Sequence, residues 1–156
     1  MNAKDTDNAQ VIVRPPLLYL GGLVAGIVFE YLWPVPFLPA VAQYVVGGAA
    51  ILAGLGMVIA CMGRFRAAGT PVEPYKPTSA IVSDGLYGLS RNPIYVALTL
   101  VYLGIGVAID GAWILALVIP ILIVMRQGVI AREERYLERK FGAEYLDYKA
   151  SVRRWL

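Results

Sequence analysis

Residues 38–62 read LPAVAQYVVGGAAILAGLGMVIACM, without one charged side chain. A helix crossing the hydrocarbon core of a bilayer needs about 20 predominantly apolar residues, and this stretch exceeds that. It is read as a membrane span, and it decides the fold class. Working outward, residues 17–33 form an apolar stretch before it, and residues 93–109 and 112–130 form two after it. The last two are short for a bilayer, which flanking residues or local thinning can accommodate. Pro34, Pro36 and Pro39 break the chain between the first two stretches, and Asp110-Gly111 makes a tight turn between the last two. The expectation is an all-α integral membrane protein, one membrane domain over residues 1–156. It has four transmembrane helices in two hairpins, a cytoplasmic connection over 63–92 and a C-terminal amphipathic cytoplasmic helix over 131–154.

Composition agrees. Hydrophobic residues make up 58% of the 156 and charged residues 16%, against about 45–50% and about 25% in soluble domains. The mean hydropathy is +0.63. There is no histidine, which excludes His-based metal centres, His-ligated haem and Ser-His or Cys-His nucleophile pairs. Cys61 is the only cysteine, so an intrachain disulfide or Cys-rich zinc site is impossible, and no metal is expected. The chemistry left uses carboxylates, arginines, tyrosines, backbone groups or a borrowed cofactor.

The fourteen Lys and Arg residues fall on one side of this map. Lys4 and Arg14 precede the first span. Arg64, Arg66, Lys76 and Arg91 lie between the second and third, and the other eight run from Arg126 to Arg154. The two remaining loops carry none. The positive-inside rule makes the basic side cytoplasmic, with both termini there. The net charge of +3 suits anionic lipid headgroups, and no nucleic-acid partner is expected. Residues 2–10 are polar and do not read as a secretory signal.

Two cytoplasmic segments are not ordinary loops. The connection is long, carries Pro71, Pro74 and Pro77, and holds apolar residues at Ala80-Ile81-Val82 and Leu86-Tyr87 that call for a packing partner. Loops of this length in a compact domain are functional or disordered. It ends in Arg91-Asn92-Pro93-Ile94-Tyr95. Asn is a good N-cap and Pro a good first helical residue, so the motif reads first as a helix start. A helix N-terminus beside an arginine is also an anion site, and the two readings are compatible. The second segment places Leu137, Phe141, Tyr145, Tyr148 and Val152 at helical spacing among basic residues, as in a helix lying at the headgroups. Gly142 marks a break or bend in it. Glu133 and Glu134 sit on the edge of this stripe, where a solvated-face reading and a functional reading both stand. Arg126, seven residues before Glu133, falls on nearly the same face of an ordinary helix. Glu30 is read as snorkelling to the outer interface, and Trp33 and Trp113 as an aromatic belt. Gly22, Gly26, Gly104 and Gly106 are read as close-packing points.

Several of these pieces recur in one order. An extended loop with Ile81-Val82-Ser83-Asp84-Gly85-Leu86-Tyr87 comes first, then Arg91-Asn92-Pro93-Ile94-Tyr95, then a tight transmembrane hairpin. Glu133-Glu134-x-x-Leu137-x-x-x-Phe141-Gly142-x-x-Tyr145-x-x-Tyr148 follows. Over residues 63–154 this resembles the isoprenylcysteine carboxyl methyltransferase family, together with its phospholipid-methyltransferase relatives. The resemblance implies S-adenosylmethionine as methyl donor, held by Ser79, Ala80, Ile81, Val82, Tyr87, Asn92, Pro93, Ile94 and Tyr95. It implies Glu133 as the catalytic acidic residue, with Glu134 as neighbour. It also implies a lipophilic methyl acceptor reaching the site from the bilayer.

Two positions depart from the family pattern. Better-known eukaryotic members read Arg-His-Pro where this chain has Arg91-Asn92-Pro93, and Asn cannot titrate. Relatives carry an arginine one turn before the catalytic glutamate, where this chain has Val129, so Arg126 or Arg132 must substitute. On this reading Tyr87, Asn92 and the helix start hold the donor's amino-acid end. Arg91 or Arg126 pairs a carboxylate on donor or acceptor, and Glu133 positions the acceptor or the donor's ammonium. The acceptor is a carboxylate in the first reading. A phospholipid amine, a quinone-like hydroxyl or a small thiol is the alternative, and an amine would need Glu133 or Glu134 as base. A nicotinamide-dependent membrane reductase and a non-catalytic interaction protein are the readings of other classes.

Overall fold

The computed structural model describes residues 7–155, and Lys4 and Leu156 lie outside the described residues. Five helices and no strand are found among the described residues: α1 (Pro15–Leu32), α2 (Ala40–Ala67), α3 (Pro93–Ala108), α4 (Ala112–Phe141) and α5 (Ala143–Ser151). Prolines set the starts. Pro15 and Pro93 occupy the opening positions of α1 and α3, and Pro39 stands immediately before α2. Their fixed φ is already helical and their missing N–H is one the helix could not have used.

Three helices, α1, α2 and α4, are long and apolar enough to cross a membrane, and α3 is apolar but shorter at 16 residues. At 1.5 Å per residue, the 30 residues of α4 extend about 45 Å, more than the about 30 Å of hydrocarbon. Its last part, Ala131–Phe141, reads AREERYLERKF and is too charged for lipid, so it projects beyond the span. Wide π-type turns interrupt α2 at Gln43–Gly47 and α4 at Met125–Ile130. Gly142 (φ 54°, ψ −124°) separates α4 from α5. That backbone geometry is open to glycine and strained for any other residue, which makes the expected break a real one.

Helix pairs meet where side chains are missing. A Cβ on Gly26 would lie 2.5 Å from Cγ1 of Ile114, and one on Gly104 would lie 2.8 Å from the backbone N of Ile51. These contacts hold α1 against α4 and α2 against α3. Tyr19 of α1, Tyr102 of α3, and Ile114, Ile121 and Met125 of α4 form a buried core among those three helices. Leu20, Val24 and Ile27 of α1, Leu52 and Ile59 of α2, and Ile119 and Ile123 of α4 are exposed. They form the outward apolar surface that a lipid solvent covers.

The two short loops meet at one end of the molecule. The Asp110 carboxylate accepts the backbone N–H of Phe37 and of Leu38, the latter at 3.0 Å. Glu30 does more than reach an interface. Its carboxylate accepts the N–H of Val35 at 2.9 Å and of Trp113 at 3.3 Å, while the Trp113 indole donates to the Trp33 carbonyl at 2.8 Å. The connection and the tail gather at the opposite end.

Candidate functional site

The connection folds back onto the helices instead of hanging free. Val82 and Tyr87 are buried against Cys61 of α2, with Phe65, Leu86 and Ile94 around them. Thr70 and Gly69 anchor its middle: the Ser79 N–H donates to Thr70 Oγ1 at 2.9 Å, and the Ser79 hydroxyl donates to the Gly69 carbonyl at 3.1 Å. The Tyr148 hydroxyl of α5 donates to the Tyr87 carbonyl at 2.7 Å. The segment before α1 is also fixed. The Ala9 N–H donates to the Pro74 carbonyl and the Ile12 N–H to the Gly128 carbonyl, each at 3.2 Å. Tyr136 ties three segments together, its hydroxyl donating to Asp7 at 2.8 Å and accepting the Thr78 N–H at 3.1 Å.

These pieces enclose one cavity. The connection contributes Ala80, Ile81, Val82 and Tyr87, and the start of α3 contributes Asn92, Ile94 and Tyr95, with Arg91 just before it. The end of α4 contributes Glu133, Glu134, Tyr136 and Leu137, and α5 contributes Tyr145 and Tyr148. A second, more apolar groove shares Val72, Glu73, Pro74, Ile94 and Tyr95 with it and continues along Pro15, Pro16, Leu17 and Leu98. Tyr95 and Ile94 therefore stand on the wall between the chamber that holds the charged groups and a more apolar groove running along α1 and α3. Arg14 lines the groove with its guanidinium 4.6 Å from the centre of the Tyr75 ring.

Glu133 and Glu134 have opposite surroundings. The Glu134 carboxylate is 7% exposed and meets two guanidiniums: Arg154 approaches at 3.0 and 2.6 Å and Arg91 at 3.1 Å. Glu133 makes no ion pair among the described residues; the Tyr95 hydroxyl donates to it at 2.6 Å. It lies beyond the membrane-spanning part of α4, and burial pushes its carboxyl up from 4.5 to about 7, the hydrogen bond from Tyr95 opposing the rise and the charge of Glu134 adding to it. A carboxyl poised there holds or releases a proton near neutrality. Two polar atoms of the chamber's lining residues, Arg91 Nε and the Tyr87 hydroxyl, are buried without a hydrogen-bond partner. Unpartnered buried donors are costly and call for a ligand or another explanation.

Of the residues named from sequence, Ala80, Ile81, Val82, Tyr87, Arg91, Asn92, Ile94, Tyr95, Glu133 and Glu134 line the cavity. Ser79, Pro93 and Arg126 do not. Ser79 is exposed and holds the loop as above, and Pro93 is buried in the helix start. Arg126 is exposed on the wide turn at Met125–Ile130. The inference that it shares a face with Glu133 assumed 3.6 residues per turn, and the π winding between them breaks that register. Asn92 stands before α3 as expected, but its side chain makes no cap bond; it donates to the Arg154 carbonyl at 2.9 Å. The sequence reading passed over Arg154, which carries no spacing signal, and over Tyr136. Leu137, Tyr145 and Tyr148 were legible as an apolar stripe and as positions of the ordered motif, without a site role.

Residues 42–144, about two thirds of the chain, match the family described as phospholipid methyltransferase. A 39-residue segment is 62% identical to an uncharacterized protein of Haemophilus influenzae, covering 25% of this chain and 62% of that relative. The chain thus spans less than two thirds of the length of the curated relative it matches. No solved structure matches.

Proposed function

This chain belongs to the phospholipid methyltransferase family, and from that premise we propose that it moves a methyl group from S-adenosylmethionine to a lipophilic acceptor in the membrane. The observation that carries the reading is a single cavity joining the proline-rich connection to the segment after the last span, with an unpaired carboxylate and an unpartnered buried guanidinium Nε among its lining residues. The donor set fits. Arg91 Nε offers a hydrogen bond to the donor's carboxylate, Tyr87 offers a hydroxyl, and Ile81, Val82, Ile94 and Leu137 offer apolar walls for a flat ring. S-adenosylmethionine, when bound, supplies a methyl group already activated on a sulfonium. The protein's task is alignment, exclusion of water and electrostatics. Glu133 places negative charge in the chamber and orients the acceptor, and Tyr95 fixes the carboxylate's direction.

The groove along Pro15, Leu17 and Leu98 is the path for the acceptor's hydrocarbon, which reaches Tyr95 without crossing water. We read four membrane passes with both ends on the basic, cytoplasmic side. A carboxylate acceptor, as in the isoprenylcysteine carboxyl methyltransferases, needs no base. The value of about 7 for Glu133 favours a second reading, an acceptor that arrives protonated, such as a lipid amine or thiol, and gives its proton to Glu133.

The test uses detergent-purified full chain with methyl-labelled donor, total membrane lipid and a panel of lipophilic carboxylates, amines and thiols. Label entering one lipid class is expected, together with binding of S-adenosylhomocysteine. Glu133→Gln is expected to lose turnover while remaining folded; unchanged turnover removes Glu133 from the mechanism. Binding of NADPH in place of S-adenosylhomocysteine would overturn the methyltransferase reading in favour of a reductase. Binding of neither leaves the chain as an interaction protein.

A further inference from the structure

We propose that Arg154 is a positioning residue: through Glu134 it keeps the Arg91 guanidinium turned so that Nε–H remains free for the carboxylate of the methyl donor. The inference rests on the donor reading above and goes beyond it, because the family match stops at residue 144 and assigns nothing to the segment that follows. That segment crosses the start of α3. The Arg91 N–H donates to the Arg153 carbonyl at 2.8 Å, and the Asn92 side chain donates to the Arg154 carbonyl at 2.9 Å. Trp155 packs on the core cluster that contains Tyr95 and Tyr102.

The charge arrangement gives the device its logic. Arg154 takes both oxygens of Glu134, through Nε at 3.0 Å and Nη2 at 2.6 Å. Arg91 is left a single contact to that carboxylate, through Nη2 at 3.1 Å, and a second to the Lys149 carbonyl through Nη1 at 3.1 Å. Its side chain is only 8% exposed, and its Nε is buried without a partner. Arginine forks prefer to meet a carboxylate with two parallel bonds. With Arg154 spanning both Glu134 oxygens, Arg91 meets the same carboxylate through Nη2 alone, and its Nε–H is left unused. The cluster has two guanidiniums and one carboxylate, so one positive charge remains without an anion. Lys149 does not change this, since it pairs with Glu138 at 2.5 Å. Without Arg154, Arg91 would close both donors onto Glu134.

The experiment measures binding of S-adenosylhomocysteine and of 5′-methylthioadenosine, which lacks the carboxylate, to detergent-purified full chain. The proteins are wild type, Arg154→Ala and Arg154→Lys. Expected is at least a tenfold loss of S-adenosylhomocysteine affinity in Arg154→Ala, an intermediate loss in Arg154→Lys, and unchanged 5′-methylthioadenosine affinity in both. Lysine keeps the charge but not the fork, so Arg154→Lys alone decides the matter if the alanine variant does not fold. Wild-type affinity for S-adenosylhomocysteine in the variants overturns the proposal, and so does equal weakening of both ligands, which marks a merely structural role. Wild-type protein that binds neither ligand overturns the donor reading itself.

Discussion

Glu133→Gln separates the cost of the site from its use. Glutamine retains an oxygen for the Tyr95 hydroxyl, which sits 2.6 Å from the carboxylate, and removes the titration. Burial moves the Glu133 carboxyl from 4.5 to about 7. At about 1.36 kcal/mol per pH unit, that displacement costs on the order of 3 kcal/mol of stability once the group is ionised. Below pH 4.5 both the folded and unfolded chains hold the proton, and nothing is lost. Between pH 4.5 and 7 the unfolded chain releases it while the folded chain keeps it, so wild-type stability falls as pH rises through this window. Above pH 7 the loss is complete and level. In Glu133→Gln this slope disappears. For a chain of this size 1 kcal/mol corresponds to about 2–4 °C in melting temperature, so the variant should melt about 6–12 °C above wild type at pH 8, with the gap closing below pH 5. The assay is tryptophan fluorescence melting of both proteins in the same detergent, without ligand, from pH 4.5 to 8.5. Parallel curves across that range would refute the claim that this carboxylate is held against its own solvation. A variant that is more stable and inactive is the trade expected where an active site is maintained at the expense of the fold.

Three further outcomes follow from particular contacts. Tyr95→Phe removes the hydrogen bond that holds the Glu133 carboxyl down, so the acid limb of the turnover profile should move to higher pH, and a profile that stays in place would refute the pairing. Asp110→Ala strips the acceptor from the Phe37 and Leu38 N–H groups; it should cost about 1–2 kcal/mol in melting experiments with S-adenosylhomocysteine affinity unchanged, because the cavity is at the other end. Gly142→Ala meets no atom within 4 Å of the new Cβ, so its expected cost of about 1–3 kcal/mol comes from backbone strain alone, and unaltered denaturant unfolding would contradict the φ of 54°.

The parts of the fold that follow from one-dimensional patterns were legible. Hydropathy placed the apolar helices, Pro39 and Pro93 placed the starts of α2 and α3, and Gly142 placed the break. The glycine pairs expected to pack do so, Gly22 beside Ile121 and Gly26 beside Ile114. The candidate site was legible where a resemblance supplied register, as at Ile81, Val82, Tyr95 and Glu133. What stayed hidden depends on relations between distant segments. Residues 2–10 read only as polar, yet Ala9 is bonded to the connection, and Ile12, just after them, to α4. Glu133 and Glu134 are neighbours of one type, and only the third dimension pairs one with two arginines and the other with a tyrosine. Arg126 was misplaced because helical spacing counts residues and cannot see a change of winding.

That change of winding gives α4 slack in its length at Met125–Ile130 and nowhere else along its regular turns. A π-type turn accommodates about one additional residue without unravelling its neighbours. Deleting one residue within Met125–Ile130 would let the backbone close into ordinary α geometry. Because the wide turn holds about one residue more than the α winding it would become, everything downstream would keep its facing, with Glu133 on Tyr95 and Glu134 on its two arginines. The same deletion within the regular α winding of Ala112–Val124 has no such slack and would turn everything downstream by about 100° around the helix axis, presenting the wrong side chains to the chamber. Single-residue deletions are therefore expected to be absorbed within Met125–Ile130 and to silence the protein within Ala112–Val124.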